Sequence, residues 1–202
     1  MSGFEDYRPR DVIDLIGEYP LCWMVSEAFA PEHAALFPLL AEADADGTLA
    51  RLIGHLPRRH ALVADLSANP EILVLVQGPN AYISGSWMRD RTWVPTWNFA
   101  QVRVRGKLHF HPDRTDAALA RLVGHMETGM EAPWHVEEAG SRYRTLADAV
   151  IAFEIEVEQV RARFKLSQDE RLDVLQTIME HVSDPGLRRW IHRFNPRLGD
   201  AR

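Results

Sequence analysis

Apolar residues recur along this chain with two periods, and the change from one to the other marks out its elements. Val12, Ile13, Leu15 and Ile16 fall at helical spacing between Pro9 and Pro20, which predicts a short first helix. Leu21 to Ser26 then reads as a strand. The small, acidic segment Ala41 to Gly47 predicts a hairpin loop joining Leu36 to Leu40 with Leu49 to Gly54. His60 to Ala68 places Leu62, Val63 and Leu66 on one helical face and stops before Pro70, after which Glu71 to Gln77 reads as a buried strand.

Two later stretches alternate with period two. In Val102 to His111 one face carries Val102, Val104, Leu108 and Phe110, while the other carries Arg103, Arg105, Lys107, His109 and His111. Phe153 to Val157 repeats the pattern with Glu154, Glu156 and Glu158 as its polar partners. Opposite charges across neighbouring antiparallel strands contribute about 0.2 to 1 kcal/mol per pair, so these two strands are predicted to lie side by side.

Helices are predicted over Thr115 to Met126, with a stripe of Leu119, Leu122, Val123 and Met126, and over Arg171 to Val182, with Leu172, Leu175, Ile178 and Met179. Ser167 and Glu170 have capping-box spacing ahead of the second. Asp184 and Pro185 open a last short helix through Trp190. Many short strands, few helices and no repeat predict a closed or nearly closed β-barrel with peripheral helices.

Composition narrows the function classes. With 202 residues and 46% hydrophobic content the chain is expected to form one domain. A net charge of -6 lacks the overall electropositive footprint of a nucleic-acid binder, so a DNA role needs a local basic patch. Cys22 is the single cysteine, and no basic start precedes an apolar stretch at the N-terminus, so a cytoplasmic location is expected. No apolar run approaches the roughly 20 residues that span a bilayer, and no membrane role is expected.

Three islands carry a family resemblance: VQGPNAYISGSW at Val76 to Trp87, VPTWNF at Val94 to Phe99, and FEIEVEQVRARFKLSQ at Phe153 to Gln168. They resemble the PaiB-type FMN-binding family, whose members are usually labelled negative transcriptional regulators. The resemblance implies an FMN-binding split barrel over about 20–166 with a C-terminal helical extension over about 167–202. It also implies a homodimer with FMN in a cleft at the subunit interface.

Site residues follow from the same resemblance. GHLPRRH, Gly54 to His60, occupies the place of the family's Gly-His and following cationic stretch, which makes His55, Arg58 and Arg59 candidates. A guanidinium suits a flavin phosphate through paired charge-assisted bonds, and a helix opening at His60 would add amide donors. Two solvated arginines in a helix-start loop is the competing reading. Thr96, Asn98 and Gln101 lie where related barrels set polar side chains against phosphate or the flavin ring, and an amide matches the mixed donors and acceptors of its pyrimidine edge. Lys165, Gln168 and Arg171 belong to the stretch expected to reach the partner subunit's flavin, with a purely structural helix-start role as the alternative.

The chain departs from the family at Leu36, where a histidine is expected, at Gly85 and Met88, and at Asp169-Glu170, which sets carboxylates near an anionic cofactor. The aromatic run Tyr82, Trp87, Trp93, Trp97 and Phe99 reads either as a stacking platform or as dimer-interface core. His109 and His111 have no marked third metal ligand among basic neighbours, so no metal is expected. Nucleophile elbows, phosphate loops and dinucleotide fingerprints are absent, so any chemistry belongs to the flavin.

Two functions from different classes stand together. One is a regulator with FMN as a structural or sensory ligand; its nearest DNA-facing cluster is Arg188, Arg189, His192, Arg193 and Arg197, for which complementing a helix dipole is the simpler role. The other is a flavin-dependent oxidoreductase acting on a nicotinamide or a small planar substrate. Haem binding through His55 or His60 is a third, weaker reading.

Overall fold

Six strands close into one antiparallel barrel in the order β1-β2-β3-β6-β5-β4. The computed structural model describes residues 3–27 and 33–199. The strands are β1 (Leu21–Ser26), β2 (Ala34–Ala43), β3 (Leu49–Pro57), β4 (Glu71–Ile83), β5 (Thr96–Phe110) and β6 (Val150–Lys165). Between and after them come α1 (Pro9–Glu18), α2 (Ala61–Ala68), α3 (Thr115–Met126), α4 (Arg142–Asp148), α5 (Leu172–His181) and α6 (Pro185–Phe194).

The chain divides into two compact units. One holds Pro9–Val76 and Arg103–Arg161; the other holds the residues up to Arg8, Gln77–Val102 and those from Ala162 onward. Strands β4, β5 and β6 each pass from one unit into the other.

In the first of these, alternation sets the core. Cys22, Met24, Leu39, Leu52, Leu56, Val74, Val104, Phe153 and Ile155 are fully buried, as period-two strands with one apolar face require. The Cys22 thiol lies 3.2 Å from the Pro20 carbonyl, and burial pushes its pKa up to about 12. Gly106 is a steric necessity, because a Cβ there would stand 2.1 Å from the Glu156 carbonyl oxygen on β6.

The charged ladders meet as expected, since β5 and β6 are neighbours. Lys107 Nζ lies 2.8 Å from Glu158, and Glu154 takes Arg114 at 2.6 Å and His111 at 3.8 Å. Arg105 turns the other way, to Glu71 at 3.6 Å and Glu27 at 3.9 Å. The outer side of β1 is apolar: Trp23 sits between Leu36 of β2 and Leu75 of β4 in register, and Leu21, Trp23 and Leu36 are exposed. Leu36 thus extends a hydrophobic surface row.

The other unit is built on an aromatic stack. The Phe164 ring lies parallel to Phe194 at 4.7 Å and to Trp190 at 5.5 Å, with Tyr7 tilted at 5.8 Å, and Leu166, Leu175, Ile178, Leu187 and Ile191 are buried. Asp184 caps α6 by accepting from the Leu187 amide, with Pro185 in its first turn.

The capping box expected ahead of α5 does not form. Arg171 is the N-cap residue and makes no side-chain cap, while the Ser167 hydroxyl turns to Asn98 and the Glu170 carboxylate accepts from Trp93 Nε1 at 3.1 Å. Ser167 has φ 63, and that left-handed backbone turns its side chain away from the helix start. Helix α4 is only seven residues long and buries only Ala147, too short for its spacing to stand out in the sequence.

Candidate functional site

The start of β5 and the end of β6 bring buried Asn98 together with half-buried Thr96 and Lys165. On β5 burial alternates, so Asn98 faces the same way as Ala100 and Val102, and Gln101 faces the opposite way with Trp97 and Phe99. Thr96 and Asn98 line a cleft of about 250 Å³ with Val94, Pro95, Lys165, Ser167, Asp169 and Glu170. The strand period therefore joins two of the expected β5 residues and separates the third.

Asn98 is 1% exposed and its Nδ2 donates to Ser167 Oγ at 2.7 Å. Its Oδ1 is buried without a protein partner. An orphaned acceptor of this kind costs about 1–3 kcal/mol unless something outside the chain donates to it. Ser167, itself 3% exposed, holds a left-handed backbone that costs a non-glycine residue about 1–2 kcal/mol. Lys165 Nζ donates to Thr96 Oγ1 at 2.5 Å, leaving an ammonium with two further donors at the cleft.

Gln168 and Arg171 are otherwise engaged. The Gln168 amide folds back on its own strand end, accepting from the Leu166 amide at 2.7 Å and donating to the Phe164 carbonyl at 2.5 Å. Arg171 forms a two-point pair with Asp173, whose carboxyl is held below its usual range by that hydrogen bond. Both residues of the pair border a separate groove of about 620 Å³ between the 88–93 loop and α5.

His55, Arg58 and Arg59 belong to the unit of Pro9–Val76 and Arg103–Arg161. Arg58 Nε donates to the Asp148 carbonyl at 3.0 Å, closing the end of α4, and Arg59 is exposed in the turn before α2. His60 is the N-cap of α2: its Nδ1 accepts from the Leu62 amide at 3.2 Å, so a neutral ring carries its proton on Nε2 and has no lone pair there for iron. His55 Nδ1 is buried without a partner, and burial holds its pKa below the ordinary histidine value.

The aromatic run is not one platform. Tyr82 and Trp97 meet edge to face at 6.0 Å, Trp87 stacks on His181 at 5.2 Å, and Trp93 is tied to Glu170. The departures at Gly85 and Met88 accompany a loop folded inward: a Cβ on Gly85 would stand 3.1 Å from the Trp93 carbonyl oxygen and 3.4 Å from Pro95, and Met88 is buried. Arg188 donates to the Met179 and Val182 carbonyls at the end of α5, and Arg193 lies 4.9 Å over the Trp190 ring. Much of that basic cluster thus serves its own unit. Among the described residues no group of three or more His, Cys, Asp or Glu side chains is placed to hold a metal.

Residues 2–159 match the family model described as "Putative FMN-binding domain". The chain belongs to this FMN-binding domain family. A curated relative in it is the protease synthase and sporulation protein PAI 2 of Bacillus subtilis, 27% identical over 135 residues, covering 66% of this chain and 65% of that protein. The alignments span under two thirds of the first curated relatives. Among solved structures, the FAD and haem binding protein of Mycobacterium smegmatis superposes with a TM-score of 0.57 at 14% identity, covering 87% of this chain and 78% of that one. The flavocytochrome Anf3 of Azotobacter vinelandii gives 0.56 at 14%, covering 78% and 67%. At such identities the likeness shows the fold, that of the flavin-binding split barrels.

The cleft suits one end of a flavin better than the other. Asn98 Oδ1 lacks a donor, and a pyrimidine edge offers a ring N–H. Asp169 and Glu170 beside it repel a phosphate. Sequence reasoning chose Thr96, Asn98 and Lys165 but assigned Ser167 to a helix cap. No spacing reveals the positive φ at Ser167.

Proposed function

We propose that this protein is an FMN-binding homodimer of regulatory rather than catalytic role, with the pyrimidine edge of the flavin seated on Asn98. The carrying observation is the buried, partnerless Oδ1 of Asn98 at the cleft that Lys165 and Thr96 share. Membership of the FMN-binding family and kinship with a sporulation protein support the cofactor and the regulatory reading. The exposed side chains of Leu21, Trp23 and Leu36, with half-buried Leu75 beside Trp23, support a second copy as the covering surface.

In this reading FMN supplies a planar, redox-capable ring. The chain supplies recognition: Asn98 accepts a ring N–H, Lys165 donates toward a ring carbonyl, and the inward-folded 88–95 loop narrows access to water. Arg58 and Arg59 are the cations that the family resemblance reserves for phosphate.

Extraction of the purified full chain followed by chromatography, with size measured in solution, tests the proposal. About one FMN per chain on a dimer is the expected result, with the bound flavin unreduced by NADH or NADPH. A monomer that takes up no flavin from excess FMN overturns it, and rapid reduction of the bound flavin replaces the regulatory reading with an oxidoreductase.

A further inference from the structure

The family match ends at residue 159, yet half of the cleft lies beyond it, at Lys165, Ser167, Asp169 and Glu170. The turn that carries Ser167 is tied down from the far end of the chain. Arg197 donates to the Ser167 carbonyl at 3.3 Å and the Gln168 carbonyl at 3.1 Å. Asn195, 1% exposed, donates to the Leu166 carbonyl at 2.8 Å, and its own Oδ1 accepts from Arg197 at 3.3 Å. Three successive carbonyls, 166 to 168, are thus satisfied by the segment after α6.

That tie has a purpose at the cleft. A left-handed serine inside a strand-to-helix connection reverts to an ordinary conformation unless its neighbours hold it. Held there, its hydroxyl accepts from Asn98 Nδ2, and the acceptor end of the Asn98 amide is the end left for a ligand. Were Ser167 to relax, the amide would lose its fixed sense and present donor and acceptor alike.

We infer that Asn195 and Arg197 are positioning residues that, through Ser167, turn the Asn98 amide so that the cleft selects a heterocycle edge bearing an N–H donor. The inference rests on the flavin reading above and adds to it a ligand class, ring systems with a lactam or imide N–H, and a role for the C-terminal segment. Arg197 is exposed and Ser167→Gly keeps the positive φ without strain, so both can be altered with the fold retained.

The test titrates the full chain, freed of any co-purified flavin, with riboflavin and with 3-methylriboflavin, which lacks the ring N–H. Wild type is expected to bind riboflavin about ten-fold or more tightly than the methylated compound, the penalty for an unmet buried acceptor. Ser167→Gly and Arg197→Ala are expected to bring that ratio below about three-fold, and Arg197→Lys to restore part of it, with the unfolding midpoint of the ligand-free Arg197 variants little changed. A ratio unchanged in both Ser167→Gly and Arg197→Ala overturns the positioning role. Equal binding of the two flavins by wild type overturns the orientation of Asn98 and the seating of the ring on it, while leaving flavin binding by the chain intact. Failure to bind either flavin removes the flavin reading and the inference with it.

Discussion

Asn98 and Leu108 stand ten residues apart on one face of β5, equally buried, and their neighbourhoods ask opposite things of them. Around Leu108 that face is buried, with Val104 and Gly106 before it on the strand, and a polar atom there would be cut off from water. Around Asn98 it opens on Thr96, Lys165 and Ser167, and a polar atom finds one partner inside the chain and has room for another outside it. Identical alternation thus builds a core at one end of the strand and a partly satisfied polar cleft at the other. Burial alone does not distinguish the two, whereas the count of satisfied hydrogen bonds does.

Exchanging the two chemistries breaks or sharpens the contrast. The largest effect is expected from Leu108→Asn, which removes packed methyl groups and strands an amide, at a cost of about 3–5 kcal/mol in denaturant unfolding. Retention of wild-type stability would mean that the Leu108 end is wetter than its neighbours imply. Asn98→Leu is expected to change stability by no more than about 1.5 kcal/mol, because an existing orphan disappears along with the bond to Ser167. It is expected to weaken FMN binding at least about ten-fold in a fluorescence titration. A stability loss as large as that of Leu108→Asn would make Asn98 a structural residue. The smallest effect belongs to Lys107→Gln on the outer face. Its ammonium is stabilised first by the hydrogen bond to Glu158, but the pair is open to water and screened by salt. The expected result is an unfolding midpoint within experimental scatter of wild type at high ionic strength.

The barrel was legible because its strands advertise themselves twice, by alternation and by charge. Arg103 to His111 and Glu154 to Glu158 place β5 beside β6 from electrostatics alone, and the structure pairs Lys107 with Glu158. The candidate cleft was legible in part. Thr96, Asn98 and Lys165 converge, but the alternation that makes β5 predictable also turns Gln101 to the opposite face, a consequence available from counting residues. The remainder depended on geometry that sequence does not encode locally. Gln168 spends its amide on its own backbone, Arg171 closes on Asp173, and Ser167 turns from a helix cap to Asn98 in a turn whose carbonyls take Asn195 at Leu166 and Arg197 at Ser167, some thirty positions later.

Cys22 brings an experimental convenience. Enclosed by the barrel and left almost wholly protonated at neutral pH, it offers alkylating reagents no nucleophile while the fold is intact. As the only thiol in 202 residues, it makes labelling a direct clock for global opening, readable by mass spectrometry without any engineered probe.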